Sequence, residues 1–94
     1  MKESLVEKYL MKECLGNRLF CPKVEFISWN GAPDRALFYD GKTTWIELKS
    51  STGKTRAIQD VVIARLERVG VQVHIPRSKQ DIDNILEGLL REKV

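Results

Sequence analysis

The chain has 94 residues, 43% of them hydrophobic and 31% charged, with a net charge of +3. That length fits one domain, expected over residues 1–94, which buries only about 60–65% of its unfolded surface and so folds with little margin. No apolar run approaches the ~20 residues needed to cross a bilayer, and Met1-Lys2-Glu3-Ser4 opens a charged amphipathic pattern, not a signal peptide, so a cytoplasmic protein with no membrane contact is expected.

Residues 3–15 have a helical period, with Leu5, Val6, Tyr9, Leu10 and Cys14 recurring at spacings of three and four. Gly16-Asn17 supplies residues that tolerate a left-handed cap. Leu19 to Ser28 reads as a first strand whose start Pro22 delays, and Trp29-Asn30-Gly31-Ala32-Pro33 reads as a turn. A second strand follows over Asp34–Tyr39. Asp40-Gly41 is a two-residue hairpin signal of the I′ type, leading into a third strand over Thr43–Ser50, rich in β-branched and aromatic residues.

Ser51 to Thr55 is polar and reads as an exposed loop. Arg56 to Val69 reads as a second helix with Ile58, Val61, Val62, Leu66 and Val69 on one face, stopped by Gly70. Val71–Ile75 is a short fourth strand ended by Pro76. Ser78 then caps a last helix, with Asp81 completing an [ST]-x-x-[DE] box and Ile82, Ile85, Leu86 and Leu89 forming its apolar stripe. The order α-β-β-β-α-β-α predicts an α/β fold, a mixed central sheet flanked by helices. The fourth strand, reached through a helical crossover, should run parallel to an earlier one.

Charge is unevenly spread. Residues 42–79 hold eight basic and three acidic side chains, against six and six over residues 1–41 and two and four over residues 80–94. A central basic excess favours a polyanionic partner, although a charge run is more often a solvated face. Cys14, Cys21 and a single histidine cannot make a convincing four-ligand zinc set, and a disulfide is unusual in a reducing cytosol. The cysteines are expected as buried apolar thiols.

The chemistry-bearing residues lie on the second and third strands. Alternation in Trp45-Ile46-Glu47-Leu48-Lys49 puts Glu47 and Lys49 side by side on one face. Taken alone, that is as well read as an exposed ion pair on an edge strand. Pairing across the Asp40-Gly41 turn places Tyr39 opposite Lys42 and, with the register unbroken, Asp34 opposite Glu47. Two facing carboxylates repel unless a cation lies between them. Mg²⁺, a hard ion that takes carboxylate, carbonyl and water oxygens, suits that place, with the Leu48 carbonyl as a further ligand. A divalent ion there activates water and offsets charge on a phosphate under attack, Lys49 can orient the water or face the phosphate oxygens, and the departing 3′-oxygen needs a proton or a second ion.

Glu3 and Gln59 each stand one turn before apolar residues of their helices, either as ordinary helix-start polar residues or pointing at the metal pocket. Gly31-Ala32-Pro33-Asp34, Glu47-Leu48-Lys49 and Gln59, with Glu3-Ser4-Leu5-Val6-Glu7-Lys8-Tyr9-Leu10, resemble the VRR-NUC (virus-type replication-repair nuclease) branch of the PD-(D/E)XK nucleases. The likeness covers roughly residues 3–83. It implies a restriction-endonuclease-like core and DNA cleavage dependent on Mg²⁺ or Mn²⁺. Asp34, Glu47, Lys49, Gln59 and Glu3 would be the catalytic set, with Glu3, its acidic first-helix residue, a metal ligand beside Asp34, Glu47 and the Leu48 carbonyl, and Lys23 the basic residue of the first strand. It also implies that a stand-alone member, often from a phage and so acting in a bacterial host cell, works as a homodimer on branched DNA such as four-way (Holliday) junctions.

Lys54 and Arg56, on the loop after the motif strand, are placed for phosphate contacts together with Lys23. Trp29 either stacks on a base or packs on the core, and His74 is expected to be structural. Leu89–Leu90 and Leu19–Phe20 are the candidate dimer surfaces. The competing reading is a non-catalytic DNA-binding module with the nuclease fold. The presence of all three central residues favours the enzyme.

Overall fold

A computed structural model describes residues 1–91 and shows an α/β fold; residues 92–94 of the expected domain lie outside the described residues. The elements are α1 (Glu3–Gly16), β1 (Arg35–Tyr39), β2 (Lys42–Ile46), α2 (Ala57–Arg68), β3 (Val73–His74) and α3 (Lys79–Arg91). The sheet order is β1-β2-β3. β1 and β2 are antiparallel, and β3 runs parallel to β2, as the helical crossover requires. Asp40 and Gly41 both have positive φ, 47° and 75°, as a I′ turn demands. The hairpin register runs from Tyr39↔Lys42 to Arg35↔Ile46, so the next pair in line is Asp34 and Glu47.

The first strand expected from the sequence takes an irregular form. Leu19–Ser28 flanks β1 in antiparallel fashion, but as two isolated bridges, Phe20↔Phe38 and Lys23↔Arg35. Pro22 is the reason. The Ala36 N–H donates to the Pro22 carbonyl at 3.2 Å, and proline has no N–H to return the bond. The ladder is therefore interrupted between two bridges of the same register.

α1 and α3 pack on each other and on one face of the sheet. Val6, Leu10 and Cys14 of α1 and Ile82, Leu86 and Leu89 of α3 join Leu37, Tyr39, Ile46 and Leu48 in one buried cluster, with Ile85 packed against it. The expected stripe of the last helix is thus in the core. Each such aliphatic side chain withdrawn from water contributes about 1.5–3 kcal/mol. The Asp81 N–H donates to Ser78 Oγ at 3.1 Å, while the Asp81 carboxylate accepts from the Arg77 N–H at 2.9 Å, so the reciprocal arm of the box reaches one residue further back than expected.

Three local expectations are corrected. The left-handed residue after α1 is Arg18, with φ of 58°, while Asn17 keeps φ of −102°. The regular part of the third strand ends at Ile46, yet the Glu47 and Lys49 N–H groups go on donating to the carbonyls of His74 and Pro76 at 2.9 and 3.3 Å. The buried face of α2 is Gln59, Val62 and Ile63, whereas Ile58, Val61 and Val69 are exposed. Gln59 is drawn inward by polar partners, and that turns the helix away from its most apolar stripe. Cys14 and Cys21 are buried free thiols, as expected; a hydrogen bond between them raises Cys14, where burial adds to it, and lowers Cys21 against the opposing effect of burial.

Candidate active site

Glu47 and Lys49 leave the end of β2 on the side of the sheet that α2 covers. Glu47 is 1% exposed. Its Oε2 accepts from the Lys49 ammonium at 2.9 Å and from the Gln59 amide at 2.7 Å. Gln59 Oε1 in turn accepts from Lys49 Nζ at 3.3 Å and from the Arg56 N–H at 2.9 Å. The last bond is half of a capping box. It satisfies one orphan donor at the start of α2 and at the same time fixes the amide against Glu47. The reading of Glu47 and Lys49 as an exposed ion pair on an edge strand is excluded by the burial of Glu47 and by the central place of β2 in the sheet.

Asp34 sits just before β1, where its Oδ2 accepts the Leu48 N–H at 2.9 Å. Burial pushes the Glu47 carboxyl up from its ordinary range; Lys49 pulls it down, and the nearby Asp34 charge pushes it up again. Glu47 Oε1 is buried with no hydrogen-bond partner. An unpartnered carboxylate oxygen beside a second acid is costly, and an oxygen-seeking cation relieves both terms. The two acids and the Leu48 carbonyl are oxygen donors of the kind Mg²⁺ takes, and would leave its remaining positions to water. Among the described residues no group of three or more His, Cys, Asp or Glu is close enough to hold a metal, so Glu3 does not complete a three-carboxylate cage.

Asp34 and Leu48 open onto a cavity of about 900 Å³, whose wall also carries Glu3, Glu7, Lys23 and Trp29. The start of α1 therefore does face the pocket, although Glu3 itself is exposed. Lys23 is exposed on the same wall, while Lys54 and Arg56 are exposed but outside that lining. Glu7 and Arg35 escaped the sequence reading. Glu7 lies one turn beyond Glu3 and binds the Arg35 guanidinium at 3.1 Å. Arg35, 8% exposed, also donates to the Cys21 carbonyl at 2.7 Å. The available signal was a lone charge opening an apolar strand immediately after Asp34. His74 Nε2 is buried and unpartnered, and burial lowers its pKa, in keeping with a structural residue whose carbonyl holds Glu47.

No protein-family model matches the sequence, and no curated protein matches it. A solved structure described as a VRR_NUC domain superposes with a TM-score of 0.81, covering 93% of this chain and 97% of that one at 21% sequence identity. The chain has the fold of a VRR_NUC domain. No helix among the described residues is long and apolar enough to cross a membrane.

Proposed function

We propose that this chain is a VRR-NUC family member and a Mg²⁺-dependent DNA endonuclease, with Asp34, Glu47 and Lys49 as its central residues. The observation that carries the reading is the partnerless Oε1 of Glu47, buried next to Asp34 and two residues from Lys49 on the same face. Such a carboxylate is poorly explained by stability alone, because a buried acid without full compensation costs free energy. A perturbed acid beside a second acid that lines a cavity is a mark of catalytic sites.

Asp34, Glu47 and the Leu48 carbonyl would hold Mg²⁺, and Mn²⁺ should substitute. The ion would supply a lowered pKa for the attacking water and charge stabilisation at the phosphate. Lys49, held by Glu47 Oε2 and Gln59 Oε1, has an ammonium pinned in one place; its role is to orient the water or to bind a non-bridging phosphate oxygen. Gln59 keeps Lys49 and Glu47 in register from the first turn of α2. Glu3, on the cavity wall, would act through water. Lys23, Lys54 and Arg56, all exposed, would bind the DNA backbone.

Branched DNA cut by a homodimer is the finer part of the reading, since paired cuts across a four-way junction need two sites related by two-fold symmetry. Leu89 is 3% exposed in the core, which removes it from the dimer surface. Phe20 is 66% exposed and stacked on the 41%-exposed Phe38 at 5.8 Å, which favours the sheet edge instead. The test compares single-stranded, duplex, flapped and four-way DNA, with and without Mg²⁺, alongside light scattering. Cleavage that needs Mg²⁺, is lost in Asp34→Ala and prefers four-way DNA supports the proposal. Metal-independent cleavage, or wild-type rates in Asp34→Ala, refutes it.

A further inference from the structure

Trp29 is the large aromatic that the chemistry above leaves unused. It is 51% exposed and lines the same cavity as Asp34 and Leu48. The guanidinium of Arg65 on α2 lies over its ring, 4.8 Å from the centroid. The loop that carries it is held at both ends: the Trp29 N–H donates to the Phe26 carbonyl at 3.1 Å, and the Asp34 carbonyl accepts the Val24 N–H at 3.1 Å. Between them Gly31 presses on the first turn of α2, so closely that a Cβ there would lie 2.7 Å from the Ile58 carbonyl oxygen. The residue after Ile58 is Gln59, which binds Glu47. The indole is thus tied through one helix turn to the buried carboxylate.

We propose that Trp29 and Arg65 form a stacking platform for an unpaired nucleobase of the DNA strand whose phosphate enters the Asp34 cavity. This rests on the nuclease reading and names the substrate feature that site would select. Bases inside a duplex are stacked on both faces and show an approaching side chain only their edges. An unpaired base has a free π-face, and an exposed tryptophan captures it without regard to sequence. Arg65 stiffens the ring by its cation–π contact and adds a charge for the neighbouring phosphate. The selection therefore acts on local strand opening, as at a flap, a gap or the centre of a branch.

The experiment measures anisotropy of a gapped duplex and of the matching intact duplex in EDTA, for wild type, Trp29→Ala and Trp29→Phe. Wild type should prefer the gapped DNA. Trp29→Ala should reduce that preference about 10-fold, the scale of one base–aromatic stack, and Trp29→Phe should retain most of it. A second measurement keeps the test independent of how well the variants fold: 2-aminopurine at the unpaired position should be quenched on binding wild type. An unchanged preference in Trp29→Ala, or no quenching in wild type, overturns the platform. Because binding is read without metal, a preference that persists while Mg²⁺ supports no cleavage removes the nuclease reading and leaves the platform standing. Cleavage with no gap preference does the reverse.

Discussion

Replacing Gly31 by alanine should loosen the fold and the active site together. Gly31 has φ of 89°, and an added Cβ would meet the Ile58 carbonyl oxygen at 2.7 Å, its carbon at 2.9 Å and the Gln59 nitrogen at 3.1 Å, where ordinary contact starts at 3.4 Å. A left-handed backbone costs an alanine about 1–2 kcal/mol. The overpacked contact, with backbone on the other side and no flexible chain end to give way, adds about 1–3 kcal/mol. Gly70 provides the control: its φ is 87° and nothing lies within 4 Å of its Cβ position. Gly70→Ala therefore carries the backbone strain alone. In a domain of this size, about 1 kcal/mol shifts Tm by roughly 4–8 °C. Gly31→Ala should accordingly melt roughly 4–24 °C below Gly70→Ala when both are followed by calorimetry. Cleavage should fall in the same variant, because pushing Ile58 and Gln59 outward lengthens the Gln59–Glu47 bond. If the two variants melt within about 2 °C of one another, the Trp29–Pro33 turn does not lean on α2 and the link from that loop to Glu47 fails.

Glu47→Gln should abolish cleavage yet raise Tm in EDTA, because the amide avoids the cost of an ionised acid in a buried place beside Asp34. For an acid whose folded pKa lies above its unfolded value, that cost is absent below the ordinary value of 4.5 and accrues as pH rises toward the folded value, so the gain should disappear in melts below pH 4.5. Mg²⁺ at ten times its dissociation constant should stabilise wild type by about 1.4 kcal/mol, roughly 6 °C, and leave Glu47→Gln far less affected; equal shifts in both would remove Glu47 from the metal site. Lys49→Ala should keep Mg²⁺ binding by titration calorimetry and lose most turnover, and an arginine there should be a poor replacement because its planar fork does not fit the place of a compact ammonium. Tyr9, whose hydroxyl donates to Asp83 at 2.6 Å, has its pKa raised to about 12, first by that bond; stability from this pair should be complete below pH 10 and fade between about pH 10 and 12, a decline that Tyr9→Phe should lack in alkaline melts.

Much of this protein was determined by local sequence. The Asp40-Gly41 turn set the hairpin register, and with it the approach of Asp34 to Glu47, because a two-residue I′ turn allows only one pairing. The apolar period of residues 79–91 determined which face of α3 is buried, with Ile82, Leu86 and Leu89 all in the core. Glu47 and Lys49 were legible as neighbours by strand alternation alone. Tertiary structure decided the rest. Pro22 reduced the first strand to two bridges, a loss that depends on the donor which Ala36 would have met across the ladder. The hydrogen bonds of Gln59 to Glu47, Lys49 and Arg56 rotated α2 against its own apolar pattern, and left Ile58 and Val61 exposed. Glu7 and Arg35 meet across 28 residues of chain, and Arg65 reaches Trp29 from a different element. A hydrophobic period records only which side of an element prefers to leave water; polar contacts between distant residues exist only once the elements are packed, and at this site they are strong enough to override it.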